Sequence, residues 1–271
     1  MHRLWALLIL GVSCYHAPVF ATPSQTKRAE LLPRLTAEQI VDKNVAARGG
    51  LDAWRKVQSM VWIGHLESEH APLPHMGFVL EQKRPNSSRF QLIGVNTRSQ
   101  RVFDGRQGWK TRPSGNAELS VAPYSIQELR FAQAAPGLDG PLIDYQRKGN
   151  HIELVGLENI EGREAWHLHV QLVTGERDEL WIDERTFLDL RYDRLPLTEG
   201  AVPARAVSVI YRDYKRVDGL QVPSIIETGA GAGVQPDRML VERIVINAPL
   251  NDAIFAKPGG RGHGAEHQGP K

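Results

Sequence analysis

Among its 271 residues the sequence has a single cysteine, Cys14. A disulfide within the chain is therefore excluded. Long apolar runs are also missing. The stretch from Leu4 to Val12 is too short to cross a bilayer as a helix, and nothing longer follows. Neither sign of charge dominates. The 33 Lys and Arg residues stand against 31 Asp and Glu, which leaves no electrostatic footprint for nucleic acid. Catalytic signatures are absent too: there is no G-x-S-x-G, H-E-x-x-H, G-x-x-x-x-G-K or paired C-x-x-C.

What is present begins with an export signal. His2 and Arg3 precede the apolar run, and Val19-x-Ala21 closes the segment with small residues. This predicts a secretory signal peptide over residues 1–21, cut after Ala21. The remaining chain from Thr22 has about 250 residues, no cysteine and a net charge of about +1. That length suits one large all-β domain or two smaller ones. The alternative is lipid attachment at Cys14, which would anchor the protein. Such signals usually carry Leu three residues before the cysteine, where this chain has Gly11.

Residues 22–35, with two prolines, read as a flexible lead-in. "TAEQIVDKNVAARGG" then predicts a helix. Thr36 caps it, Gln39 completes a capping box, and Gly49 supplies the stop. Ile40, Val41 and Val45 form its apolar stripe, and "LDAWRKV" adds a short second turn. After Gln58 the apolar period falls from 3.6 to 2. Met60, Trp62 and Leu66 alternate with polar positions, as do Phe78 and Leu80, Phe90 and Leu92, and Trp166, Leu168 and Val170. Turn signals at Asp104-Gly105, Gly149-Asn150, Glu161-Gly162, Gly175-Glu176 and Asp218-Gly219 separate the segments. Roughly ten strands in a meandering antiparallel sheet are expected. A helix over residues 126–135 interrupts them, capped by Ser125 with Glu128 and ended by Pro136. Its Ile126 and Leu129 edge should dock on the sheet as a lid. Residues 259–271 read as a disordered tail.

Three groups could carry chemistry. His65, His70 and His75 recur every five residues, a spacing that no regular element puts on one face. His167 and His169 share a strand face and could chelate a metal, but the polar side of a half-buried strand is the simpler reading. His263 and His267 lie in the tail. No metal and no cofactor is assigned. The acid-rich "DELWIDERTFLDLRYDR" reads as strand, turn, strand. Leu188, Leu190 and Tyr192 fall on one face, with Asp189, Arg191 and Asp193 on the other. Interleaved acids and bases neutralise each other across strands, so Asp183 and Glu184 are expected to be exposed and worth about 0–1 kcal/mol. No catalytic residue is assigned.

The remaining excess is apolar. Trp62, Phe78, Phe90, Trp109, Trp166 and Trp181 are spread over many strands. Two or so helices cannot cover so wide a sheet, which should curl and leave a hollow suited to a lipid. The expected ligand-binding face carries Trp62, Phe78, Leu80, Phe90, Leu92, Trp166, Leu168 and Val170.

The order of "TAEQIVDKNVAARGGLDAWRKVQSM", "KRPNSSRFQL", "RVFDGRQGWKTRP", "LDGPLIDY", "LVGLENIEGREAWHLHV", "ELWIDERTFLDLRYD", "YRDYKRVDGLQVPSIIET" and "INAPLNDAIFAKP" resembles the LolA-like group of periplasmic outer-membrane lipoprotein-sorting proteins. The resemblance covers residues 36–258. It implies a mainly β fold, α+β in class: a curved antiparallel sheet forming an incomplete β-barrel covered by a few helices. It also implies a periplasmic, non-catalytic carrier for lipoprotein or lipid acyl chains. Such a carrier would touch membranes only peripherally and could meet envelope protein partners. Two other readings stay open: a structural or partner-binding envelope module on the same scaffold, and a periplasmic hydrolase. Clustering of His167, His169 and a carboxylate in one pocket would favour the last.

Overall fold

Helix α1 (Ala37–Ala47) starts where its capping box closes. The Gln39 N–H donates to Thr36 Oγ1 at 3.2 Å, and the Thr36 N–H donates to Gln39 Oε1 at 3.0 Å. A cap of this kind is worth about 1 kcal/mol. Ile40 and Val41 are buried as their spacing predicts, and so is Asn44. The chain then turns at Gly49, whose φ is +118°. A Cβ there would sit 2.7 Å from the Gly219 carbonyl oxygen, so only glycine fits. Helix α2 (Leu51–Lys56) follows and buries Trp54. This computed structural model describes residues 35–69, 75–95, 98–113, 119–194, 206–229 and 235–259. The expected signal peptide with Cys14, the lead-in up to residue 34, the tail from residue 260, His70, His263 and His267 lie outside them.

Thirteen strands form one sheet: β1 (Ser59–Glu67), β2 (His75–Lys83), β3 (Ser87–Ile93), β4 (Arg98–Phe103), β5 (Gly108–Pro113), β6 (Leu119–Pro123), β7 (His151–Ile160), β8 (Arg163–Gln171), β9 (Arg177–Asp183), β10 (Asp189–Arg194), β11 (Val207–Val217), β12 (Leu220–Gly229) and β13 (Asp237–Ile246). The sequence pattern undercounts them. β4 to β6 are only five or six residues long and sparsely apolar, so their alternation is weak.

The spatial order is β6-β5-β4-β3-β2-β1-β13-β12-β11-β10-β9-β8-β7. Every neighbouring pair is antiparallel. Two meanders, β1–β6 and β7–β13, are thus zipped along β1 and β13, and the sheet does not close into a barrel. The expected turns at Glu161-Gly162 and Asp218-Gly219 have positive φ at both residues, as tight right-twisted hairpins require.

Even-numbered residues of β1 to β3 share the inner face, on which Met60, Trp62 and Phe78 cluster with Trp54 of α2. Trp62 lies opposite Leu80, and Leu80 opposite Phe90. Trp54, Met60, Trp62, Phe78, Leu220 and Val222 join one core cluster on this inner face. Full burial of a large apolar side chain contributes about 1.5–3 kcal/mol. The outer face is charged and self-paired. Arg212 bridges Glu161 at 2.8 Å and Glu227 at 2.9 Å, and Arg238 bridges Glu227 at 3.1 Å and Glu67 at 2.8 Å.

β6 and β7 are consecutive in the chain but sit at opposite edges. The segment between them must cross the sheet. It contains helix α3 (Ile126–Gln133), which carries the predicted Ser125–Glu128 capping box. Its docking differs from expectation. Ile126 is 72% exposed. The helix is held instead by Glu128, which accepts from Lys110 Nζ at 2.7 Å and Arg101 Nη2 at 2.8 Å, and by Phe131. Arg194 lies 3.6 Å from the Phe131 ring centroid and donates to the Phe131 carbonyl.

Candidate functional site

A cavity of about 390 Å³ lies between the inner face and the crossing segment. That is within the range of about 300–1,000 Å³ typical of ligand pockets. Trp54, Trp62 and Leu80 wall it on one side, and Leu180, Val209 and Met239 on another. Pro136, Gly137, Leu138, Gly140 and Pro141 contribute a further wall. α3 itself does not line the cavity, so the residues that follow the helix play the covering role expected of the helix.

The expected face is divided by the structure. Trp62 and Leu80 line the cavity. Phe78 is fully buried in the core cluster, with Phe90 and Leu92 packed against it. Leu168 and Val170 are fully buried, and Trp166 is 7% exposed. These three share a face with Leu180 and its strand neighbours but do not reach the cavity.

The lining is also partly polar, which the alternation did not indicate. Arg48 contributes to it, as do Asp189, Tyr192, Arg194, Tyr211 and Tyr214 along β10 and β11, beside Gln82, Gln221 and Thr228. Strict alternation puts Asp189 outward with Arg191 and Asp193. A bulge between Asp189 and Arg191 turns it inward instead. There Asp189 Oδ1 accepts from Asn44 Nδ2 at 2.8 Å, and Oδ2 lies 3.7 Å from Arg48 Nη1. Tyr214 donates its hydroxyl to the Asp189 carbonyl at 3.0 Å. The Tyr192 hydroxyl donates to Asp178. Burial pushes the tyrosine hydroxyls of 192, 211 and 214 up, so they stay neutral donors. Burial also pulls Arg194 below the usual guanidinium range.

Arg48 is placed by both helices. It caps α1, its carbonyl accepts from Trp54 Nε1 at 3.1 Å, and its guanidinium stacks 4.7 Å from the Trp54 ring centroid. Among the described residues its Nη1 has no hydrogen-bond partner although it is buried. A buried N–H without a hydrogen bond is costly even beside the Asp189 carboxylate, and an acceptor group of a ligand in the cavity would relieve that.

The charged hairpin is strand, turn, strand as expected, with Arg185 and Thr186 exposed and Glu184 half-buried, but its aspartates are not solvent-facing. Asp178, Asp183 and Asp193 are buried. Asp183 Oδ1 accepts from the Thr186 N–H at 2.7 Å and the Thr186 hydroxyl at 2.8 Å, while Oδ2 meets Arg163 at 2.7 Å. These carboxylates hold the turn and the sheet together. His167 and His169 do cluster with a carboxylate, Glu179, but none of the three lines the cavity.

The geometry is that of an open antiparallel sheet with a partly covered apolar hollow, a LolA-like fold. By sequence alone, no family model and no curated protein matches the chain. Among the solved structures that resemble it are the following three. A DUF1329 family protein from Desulfovibrio piger is 14% identical, with 82% of this chain and 97% of that one covered and a TM-score of 0.53. A LolA superfamily protein from Nitrosomonas europaea is 15% identical, covering 82% and 98%, with a TM-score of 0.52. A domain from Vibrio parahaemolyticus described as an outer membrane lipoprotein-sorting protein is 10% identical, covering 82% and 96%, also at 0.52. Among the described residues no helix is long and apolar enough to cross a membrane.

Proposed function

We propose that the chain is a non-catalytic carrier or binding protein for an amphiphile: a lipoprotein acyl chain or another lipid, met in the periplasm after export. The observation that carries this reading is a cavity lined by large apolar side chains together with a buried arginine, Arg48, whose Nη1 makes no hydrogen bond among the described residues. An acyl tail laid along Trp62, Leu80, Ile226 and Met239 gains about 0.8 kcal/mol for each buried methylene. About fourteen methylenes give roughly 11 kcal/mol gross, before the cost of ordering the chain. The spare Arg48 N–H would take an anionic head group. The LolA-like fold supports a carrier.

In this reading residues 36–258 form the binding domain, the protein touches membranes only transiently, and its cargo is its main partner. A second reading, a structural or partner-binding module, draws on a different fact. Six of the eight residues expected on the binding face, all but Trp62 and Leu80, do not line the cavity. Lipid extraction and native mass spectrometry of protein purified from the periplasm separate the two. The carrier reading expects a co-purifying acyl species at one per chain. A lipid-free protein that also takes up no acyl probe would leave the module.

A further inference from the structure

On the outer face, away from the cavity, β8 and β9 bring together donor atoms that the proposed carrier does not use. His167 and His169 stand two residues apart on β8 and so share a face. Glu179 of β9 lies directly opposite His169 in the register. Their ligand atoms all fall within 4.8 Å of one another. His167 Nε2 is 2.8 Å from Glu179 Oε2, and His169 Nδ1 meets that same oxygen. Two imidazole nitrogens thus converge on one carboxylate oxygen. We propose that His167 Nε2, His169 Nδ1 and the Glu179 carboxylate form a binding site for a divalent transition-metal ion, zinc or copper in class, with a fourth position open to solvent.

The surroundings also supply the outer support that a metal-binding histidine needs. The other nitrogen of His167, Nδ1, lies 2.9 Å from Glu158 Oε1. A neutral imidazole has one N–H. If His167 donates it to Glu158, the Nε2 lone pair points at a carboxylate oxygen, and two lone pairs repel. A cation between them removes that repulsion. The resulting carboxylate–histidine–metal order is the usual outer support of a metal-binding histidine. Glu158 is itself fixed, since Trp181 Nε1 donates to its Oε2 at 2.9 Å. The Trp181 ring stacks on His167 at 4.4 Å between centroids and 11° between planes, which locks the imidazole. His167 is buried, while His169 and Glu179 are half-buried, so an ion has a path in.

Charge and distance also allow it. Arg177 Nε is 3.5 Å from Glu179 Oε1, which leaves Oε2 for the ion. Arg191 lies 4.9 Å from the Trp181 ring centroid, on a ring that separates it from the site. Ligand atoms around tetrahedral zinc are about 3.3 Å apart, given bonds of about 2.0–2.1 Å. The His167–Glu179 contact of 2.8 Å therefore needs to open by only about half an ångström. Two imidazoles and one carboxylate suit zinc and copper rather than calcium or magnesium, which prefer all-oxygen sites.

The test uses untagged, chelator-treated full-length protein. Zinc titration by calorimetry should show one ion per chain, and copper(II) should quench tryptophan fluorescence through Trp181. His169→Gln and Glu179→Gln should each weaken zinc at least about tenfold, and Glu158→Gln by about 10–100-fold. A His263→Gln, His267→Gln double variant should bind as the wild type does. Zinc-edge absorption of the loaded wild-type protein, which needs no variant, should report two imidazole nitrogens. Absence of saturable binding, a spectrum without two imidazoles, or full affinity in folded His169→Gln overturns the proposal.

Discussion

Arg48 Nη1 lies 3.7 Å from Asp189 Oδ2, joining the end of α1 to β10 in the lining of the cavity. The two residues are 141 positions apart in the chain. Each reaches the other through a local departure from regular structure: Arg48 by ending a helix against Gly49, Asp189 by the bulge that reverses its side chain. The pair holds Arg48 without saturating it, because Nη1 makes no hydrogen bond among the described residues. That is the arrangement expected of a group waiting for an anionic ligand.

Arg48→Met keeps much of the stem that packs on Trp54 and removes the charge. Binding of a fatty-acid probe should fall at least about tenfold, a change of about 1.4 kcal/mol. Binding of a neutral monoacylglycerol should change far less. Equal losses for both probes, read by competition against a fluorescent acyl chain, would mean that Arg48 acts only through packing.

Asp183 should matter more than an exposed hairpin carboxylate. Its burial raises the carboxyl pKa, but bonds from the Thr186 hydroxyl and N–H and from Arg163 outweigh that and leave it below the ordinary range. Asp183→Asn should lower stability by about 2 kcal/mol in urea unfolding at pH 7. A depressed carboxyl contributes stability that is complete above its unfolded value, about 3.9, and is lost as pH falls through the lower folded value. The gap between wild type and variant should therefore close below about pH 4. A gap under about 0.5 kcal/mol at pH 7 would restore the exposed reading.

Glu128 fastens α3 to β4 and β5. Burial raises its pKa, yet Lys110, the Ser125 N–H and Arg101 together bring it down to about 2. The stability it supplies is present above the unfolded value, about 4.3, and disappears as pH drops toward about 2. Glu128→Gln should speed amide exchange in residues 126–133 at pH 7 while strands β7 to β13 stay protected. Unchanged exchange in the helix would show that Phe131 and Arg194 suffice to hold it.

Much of the fold was legible in the sequence. Both capping boxes, the stop at Gly49, the tight turns and the alternating strands follow from local rules that tertiary packing did not override. The site was less legible, for two physical reasons. Alternation assigns faces only while the register is unbroken, and the bulge at Asp189–Arg191 hid the one acid that enters the cavity. Burial on the inner face also does not separate a residue lining a hollow from one packed solid: Leu80 lines it, while Leu168, on the same kind of strand position, does not. Arg48 carried a weak signal as the last residue before two glycines at the end of an amphipathic helix. His167 and His169 were visible as a pair, but Glu179 could be placed beside them only by strand pairing.

Export is checked by mass. The Val19-x-Ala21 ending predicts a mature protein that begins at Thr22. Intact-mass analysis of periplasmic protein should give that terminus. A diacylated chain beginning at Cys14 would instead make this an anchored lipoprotein.

The most direct test of the carrier reading fills the cavity. Val209 lines it from β11 and is only half-buried, so Val209→Trp can occupy the hollow with the sheet intact. Leu168→Asp would test folding instead, because Leu168 is fully buried. Titration with a fluorescent fatty acid should show one saturable site in the wild-type protein. Val209→Trp should weaken it at least about tenfold, and Glu242→Gln, on an exposed position, should leave it unchanged. A wild-type protein that binds no acyl probe, or a folded Val209→Trp variant that binds as tightly as wild type, would contradict the assignment of this cavity to a lipid.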